Sequence, residues 1–424
     1  MKRPKRTLGL LAGAASTMMI LAACGNGGGE GADDDVLRIA MASPGEAQIR
    51  VWNGVAEQYE KAHPGMDVQL NFQDDDLYQT VGLPSLLNGR KAPDIYFEWA
   101  GGRLAARVKD GFAADVGPYV TGGPLKGLID EPAYNLMKID GKTVMVPFAS
   151  DVTNVLWYNT KLMSGAGVAP PKTWAELLTA CDTLRSKGIT PIATGNKDLW
   201  PVGNWAAHLV SRVVGEAAYT QVLSGKAGFD NPGWSEALGH VAELRDHKCL
   251  NDTASALDDT QSAQMFLQEK AAMHPVGSWL VSTAIEEAPK LEIDYVNLPA
   301  VPGAGDQSSV IGVATGYVIN AKSKKIKESA DFLALLYSGA NVAAFTEAGT
   351  VPPAEPAPGG PPVDPRTTRL GALLAGAKTV VQPPDTGYDP KRAEAFYRAV
   401  SLVLGGKKEP RDALADAARK AGTS

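Results

Sequence analysis

The sequence predicts an α/β protein built as two lobes with a cleft between them. Three observations carry this. The first ordered stretch alternates strand, helix and strand, the pattern of a parallel α/β sheet. The chain beyond its leader, roughly 400 residues, exceeds what one hydrophobic core holds and suits two. One strand-like region, Val144 to Tyr158, is broken midway by Pro147-Phe148-Ala149-Ser150-Asp151. That segment is too polar and too interrupted for a central strand. A strand that stops, bends and restarts fits a chain leaving one lobe for another, with Asp151 facing the gap. A bulged hairpin within a single sheet fits the pattern equally well.

The N-terminus sets the compartment. Lys2, Arg3, Lys5 and Arg6 precede an apolar run, Leu8 to Ile20, that is too short to span a bilayer. It ends in Leu21-Ala22-Ala23-Cys24, which resembles a bacterial lipobox. Residues 1–23 are therefore expected to be a lipoprotein signal peptide and Cys24 the acylated first residue of the mature chain. Residues 24–35, rich in Gly and Asp, would form a flexible tether.

Composition narrows the function. The chain carries 41 basic and 47 acidic residues, and four of the basic ones lie in the leader. An acidic balance without a basic stripe disfavours nucleic acid as a partner. His63, His208, His240, His247 and His274 show no metal-protease spacing, and nucleophile-elbow and phosphate-loop patterns are missing. No catalytic set, metal site or cofactor is expected. Cys181 and Cys249 could pair outside the membrane. Cys181, however, shares a helical apolar stripe with Leu177 and Leu184, which favours a buried free thiol.

In order, Val36–Met41 reads as a strand, Gln48–Ala62 as a helix with Ile49, Trp52, Val55, Ala56 and Tyr59 on one face, and Met66 to Phe72 as a second strand. Ligands of parallel sheets sit beyond the carboxyl ends of the strands, where Glu46 and the run Gln73 to Asp76 fall. A third strand, Asp94–Phe97, delivers Glu98-Trp99 and Gly101-Gly102 to the same edge. Asp140-Gly141 is a hairpin turn. In the second half, Thr173 and Glu176 form a capping box that opens a helix ended by Gly188. Ile189–Thr194, Ala271–Val276 and Leu291–Leu298 read as strands, and Gly277-Ser278-Trp279 presents a tryptophan at the end of one of them. Val310 to Asn320 reads as a strand interrupted by glycine, a second candidate crossing between lobes. The proline cluster Pro352 to Pro365 is a linker and a candidate third crossing. Helices near 369–378, 392–404 and 411–421 close the chain. The paired acids Asp74-Asp75-Asp76 and Asp258-Asp259 read as solvated faces or helix caps.

Several of these segments together resemble the family 1 extracellular solute-binding proteins, the sugar-capturing components of ABC importers. The resemblance rests on Asn154 to Leu162, Pro170 to Leu178, Pro93-Asp94-Ile95 with Gly101-Gly102, Ala272-Met273 with Gly277-Ser278-Trp279, Gly316 to Ile319 with Ser323, Glu347-Ala348-Gly349 with Val351-Pro352, and Ala395 to Val400. It covers essentially the whole mature chain. It implies a periplasmic-binding-protein-like fold of the class II type, its lobes joined by hinge crossings near Pro147 and Gly312. Lobe 1 would comprise 36–147 and 313–351, and lobe 2 would comprise 152–311 and 358–424. It also implies a mono- or oligosaccharide ligand, permease subunits as partners and the outer face of the cell membrane as the location. Carried over by motif, Trp279 matches a sugar-stacking position, Trp99 lies in the corresponding loop, Asp151 lies near an acidic ligand position, and Phe396 or Tyr397 falls in a helix that supplies another aromatic. The loop after the first strand lacks the family's lysine and offers Glu46, Gln48 and Arg50, of which Glu46 is the candidate contact.

The chemistry is consistent with this. Carboxylates bind paired hydroxyls, and flat rings cover the C–H face of a pyranose. Trp200 and Trp205 join the candidates because they sit in a loop-rich segment, whereas Trp52, Trp174 and Trp234 lie within helices as packing residues. A surface-anchored glycoside hydrolase, or a structural lipoprotein, is the alternative.

Overall fold

Alternating apolar residues in two short segments pair to start the larger sheet: β1 (Val36–Ala42) runs parallel to β2 (Asp67–Gln73), from Val36 opposite Asp67 to Ala42 opposite Gln73. The structure, a computed structural model, describes residues 35–360 and 362–422. The expected signal peptide, Cys24 and nearly all of the tether lie outside the described residues. Helix Glu46–Ala62 links β1 to β2 and buries Trp52, Val55, Ala56 and Tyr59. The Trp52 ring gathers Phe148, Tyr317, Phe332 and Phe345 within 6.3 Å, so one helix face nucleates the core of this lobe. β3 (Ile95–Trp99) lies parallel on the other side of β1. The short hairpin of β4 (Lys138–Ile139) and β5 (Lys142–Thr143) turns at Asp140 and Gly141, both at positive φ, as the Asp-Gly pair predicts.

β6 spans Val146–Val152 and is followed by β7 (Val155–Asn159). β8 (Thr190–Ile192), β9 (Ala271–Val276) and β10 (Ile293–Val296) complete a second sheet with β7, in the order β10-β7-β9-β8. β11 (Val310–Ile319) and β12 (Val380–Val381) return to the first sheet, ordered β12-β11-β3-β1-β2 with β6 also on β11. We call the part built on the larger sheet lobe 1 and the part built on the smaller sheet lobe 2.

The stretch Pro147 to Asp151 is not a break. It is continuous strand, antiparallel to β11 from Val146 opposite Tyr317 to Val152 opposite Gly312. Proline is tolerated because β6 pairs with β11 alone and the register shifts beside Pro147, between Thr315 and Gly316. β11 is likewise uninterrupted. Gly316 is needed there because a Cβ would lie 2.2 Å from the carbonyl oxygen of Val146. Val146 and Phe148 belong to the Trp52 core, whereas Val152 belongs to a lobe 2 core around Trp157. On β11, Tyr317 and Ile319 pack in lobe 1, and Val310 and Ile311 pack in lobe 2. Two antiparallel strands thus carry the chain between the lobes side by side. Further on, Ala354 packs against lobe 1 and Leu370 against lobe 2.

Cys181 and Cys249 are joined by a disulfide, with Cα atoms 5.0 Å apart, which corrects the free-thiol expectation. The apolar stripe of helix Trp174–Ser186 does bury Cys181. The neighbour it meets there is the other cysteine, delivered by the turn after helix Pro232–Asp246. Periodicity locates a thiol in a core but cannot show what packs against it.

Candidate functional site

At the end of β6, Asp151 accepts a hydrogen bond from the Ser278 hydroxyl at 2.6 Å, and the Ser278 N–H donates to the Val152 carbonyl at 2.8 Å. Burial raises the Asp151 carboxyl above its ordinary value, and the Ser278 hydrogen bond opposes that shift. The crossing strand is thereby pinned to the turn that presents Trp279. Gly277 is required in this turn because a Cβ would lie 2.0 Å from the Trp279 ring, which folds back over it. Trp279 is half-buried and leans on Trp200, with ring centroids 6.0 Å apart at 58°. Its indole faces Asp259 and favours the charged form of that carboxylate.

Asp259 and Trp200 each open a helix. Asp258 caps Asp259–Leu267 in a reciprocal box with Gln261, and the Asp259 N–H donates to Asp198 at 3.3 Å. Trp200 begins helix Trp200–Val214 after Leu199, a non-glycine residue at φ 67. The chain strains locally to place the ring there.

Lobe 1 supplies the facing wall from the carboxyl ends of β2 and β3. Asp74 caps the short turn Asp75–Leu77, and Asp75 accepts from Gln79 at 2.6 Å. Arg103 donates to the Gln79 carbonyl at 2.8 Å, bonds buried Glu98 at 3.3 Å and lies 5.3 Å from the Trp99 ring centre. The charge of Asp75 reaches Asp259 across the gap. Burial first, then the negative charges of Asp75, Asp198 and Asp258, push Asp259 up to about 7. Burial, then Asp385 and Asp74, push Asp75 up to about 7 against the opposing pull of Gln79 and Arg103. Asp385 of lobe 2 is raised by burial, opposed first by a hydrogen bond from Tyr397. Here the lobe backbones touch: a Cβ on Gly101 would lie 3.0 Å from Gly387, and one on Gly102 would lie 2.6 Å from the Tyr388 carbonyl. The two glycines admit this approach.

The structure thus brings together Asp151, Trp279 and Trp200 on lobe 2. Trp99 lies on the lobe 1 side but is 8% exposed, packed against Tyr78 and Phe97 beneath Arg103. It supports this wall from below and is not the exposed ring the loop suggested. Glu46 is exposed at the start of its helix. Trp205 and Phe396 need correction. Trp205 is 1% exposed and packs edge-on to Trp174, and Phe396 is fully buried against Phe229 and Trp234. Both are lobe 2 core, because their helices turn those positions inward. Asp198, Asp385 and Arg103 were not singled out by sequence reasoning, Asp75 entered only within the run at the sheet's edge, and Asp259 only as part of an acid pair read as a solvated face or cap. Asp74 and Asp258 are helix caps, as expected of such runs. The residue after each cap is the one that faces the gap, so an acid repeated just inside a cap was the available signal.

Indole faces cover C–H surface, and carboxylates and amides bind hydroxyls, so the gap suits a polyhydroxylated ligand. Comparison with known proteins agrees on the fold. The sequence model of the family described as bacterial extracellular solute-binding protein matches residues 44–343, more than half of the chain. The multiple sugar-binding protein of Streptococcus mutans is 22% identical over 346 residues, 77% of each chain. A protein from work on xylan utilization by the thermophile Caldanaerobius polysaccharolyticus superposes with a TM-score of 0.82 at 24% identity, covering 91% of this chain and 99% of that one. A maltose-bound protein of T. maritima gives 0.74 at 19% identity, over 91% and 99%. The chain belongs to the family of bacterial extracellular solute-binding proteins, with the two-lobed α/β fold of its structural neighbours.

Proposed function

We propose that this chain is the lipid-anchored substrate-binding component of an ABC importer and captures a mono- or oligosaccharide for a membrane permease. The observation that carries this reading is the meeting of the Trp200–Trp279 pair with carboxylates from both lobes, beside two strands that link those lobes. Relatives named for sugars support it. We take lobe 1 as 36–147 with 313–351 and lobe 2 as 152–311 with 358–424, in keeping with the core membership of β6 and β11. Sugar docks on lobe 2, the paired strands flex, and lobe 1 closes over it. The closed form presents both lobes to the permease, and Cys24 holds the protein at the outer face of the membrane.

One observation favours the hydrolase alternative: two facing carboxyl groups held near neutrality are what general acid catalysis uses. A saccharide panel followed by calorimetry and product analysis separates the two. Saturable binding with the sugar recovered intact supports an importer component; cleaved product establishes a hydrolase. Retention in a detergent phase, lost on Cys24→Ser, tests the anchor.

A further inference from the structure

Helix Leu280–Glu287 of lobe 2 runs along the gap with Trp279 at its amino end. Ser282 in its first turn meets lobe 1: a Cβ on Gly349, at φ 89, would lie 2.7 Å from the Ser282 Cα. Near its far end, Glu286 reaches the amino terminus of the first lobe 1 helix. That helix, Glu46–Ala62, has Gly45 at its cap position, which provides no side-chain cap. The cap comes from the opposite lobe: the Ala47 N–H donates to Glu286 Oε2 at 3.1 Å, and Arg50 Nη2 donates to Glu286 Oε1 at 3.1 Å. Both carboxylate oxygens are used, and the Glu286 side chain is 25% exposed against 67% for Arg50.

A carboxylate at the amino end of a 17-residue helix meets unsatisfied N–H groups and the positive end of the helix dipole. These partners belong to different lobes, so the interaction exists only while the lobes touch. When they part, Ala47 and Glu286 both return to water and the helix loses its cap.

We propose that Glu286 is an inter-lobe latch: a positioning residue that caps helix Glu46–Ala62 across the gap, sets the closed fraction of the protein and so tunes ligand affinity and release. It touches no ligand-facing group. It acts through the contact between the two helices, and the helix that follows Trp279 stays packed on the lobe 2 core. The proposal rests on the reading that the lobes open and close on a ligand, but the latch can be measured without one.

The test uses the soluble Cys24→Ser chain, labelled on Lys61→Cys in lobe 1 and Lys226→Cys in lobe 2, with pulsed dipolar spectroscopy reading the distance between labels. Without sugar and at low salt, Glu286→Ala should lower the closed-to-open ratio about fivefold, the scale of one helix cap plus one exposed ion pair. Glu286→Gln still offers an oxygen to Ala47 and loses only the ion pair with Arg50, so it should fall between, as should Arg50→Ala. The effects of Arg50→Ala and Glu286→Ala should not add. Maltose and xylo-oligosaccharides serve as probes, and any affinity they show should fall in the same order while Tm stays put. Unchanged distance populations in Glu286→Ala overturn the latch, as does a lowered Tm with populations intact, which would make the contact purely structural. A shifted population with neither sugar bound upholds the latch and counts against the saccharide reading alone.

Discussion

Asp259→Asn should weaken a pH dependence of closure that the native protein shows. Asp259 is faced by Asp75, Asp198, Asp258 and the Trp279 indole, and Asp75 by Gln79, Arg103, Asp74 and Asp385. Both carboxyl groups move from 3.8 to about 7 where the lobes meet. Parting the lobes lets water reach them and returns them toward 3.8. The touching form therefore binds more protons than the parted one. Closure is unpenalised below the ordinary carboxylate pKa, weakens as pH rises toward about 7, and carries the whole penalty above it. One group shifted this far changes the closure constant roughly a hundredfold, ~2.6 kcal/mol, between about pH 5 and about pH 8. Because the two groups are coupled and partly hydrated, at least a tenfold change is expected for the pair. Small-angle scattering on the sugar-free protein should show the radius of gyration rising from about pH 5 to about pH 8. In Asp259→Asn the amide stays neutral and Asp75 alone still titrates, so the radius should rise less between the two pH values. A native radius that does not change with pH, or an Asp259→Asn protein that opens just as the native one does, would show that these carboxyl groups do not govern closure.

Three further outcomes follow from the packing. Gly277→Ala puts a methyl group 2.0 Å from the Trp279 ring; it should weaken saccharide binding tenfold or more, as Trp279→Ala should, measured by titration calorimetry. Removing the Cys181–Cys249 bridge, which closes a separation of 68 residues, should cost about 4 kcal/mol in denaturant unfolding, and thiol titration of the unfolded soluble protein should find neither cysteine free. Trp205→Ala should lower stability by about 3–5 kcal/mol while leaving affinity at permissive temperature within a few-fold, which separates a core ring from a ligand ring.

Much of the fold was legible because its signals are local. Trp52, Val55, Ala56 and Tyr59 mark one helix face, Thr173 and Glu176 form the capping box that was read, and Asp140-Gly141 turns the hairpin. Pro147 misled because local rules treat proline as a strand breaker, and only the partner strand reveals that β6 pairs on one side with a shifted register. The site was legible where a motif fixes backbone shape. Gly277-Ser278-Trp279 and Gly101-Gly102 are needed for close approach, and both stand at the gap. It was illegible where function depends on what faces a residue across a distance. Asp75 meets Asp259 only after both lobes have folded, and Trp205 and Phe396 differ from Trp200 and Trp279 only in which side of a helix or turn they occupy.

The most direct test of the whole account is a crystal structure with a saccharide that binds in calorimetry. The ring should lie between the lobes, its C–H face on Trp279 or Trp200 and its hydroxyls on Asp75 and Asp259. Sugar density elsewhere, such as the outer groove beside Lys407, Asp412 and Arg419, with the inter-lobe contacts unaltered, would contradict it.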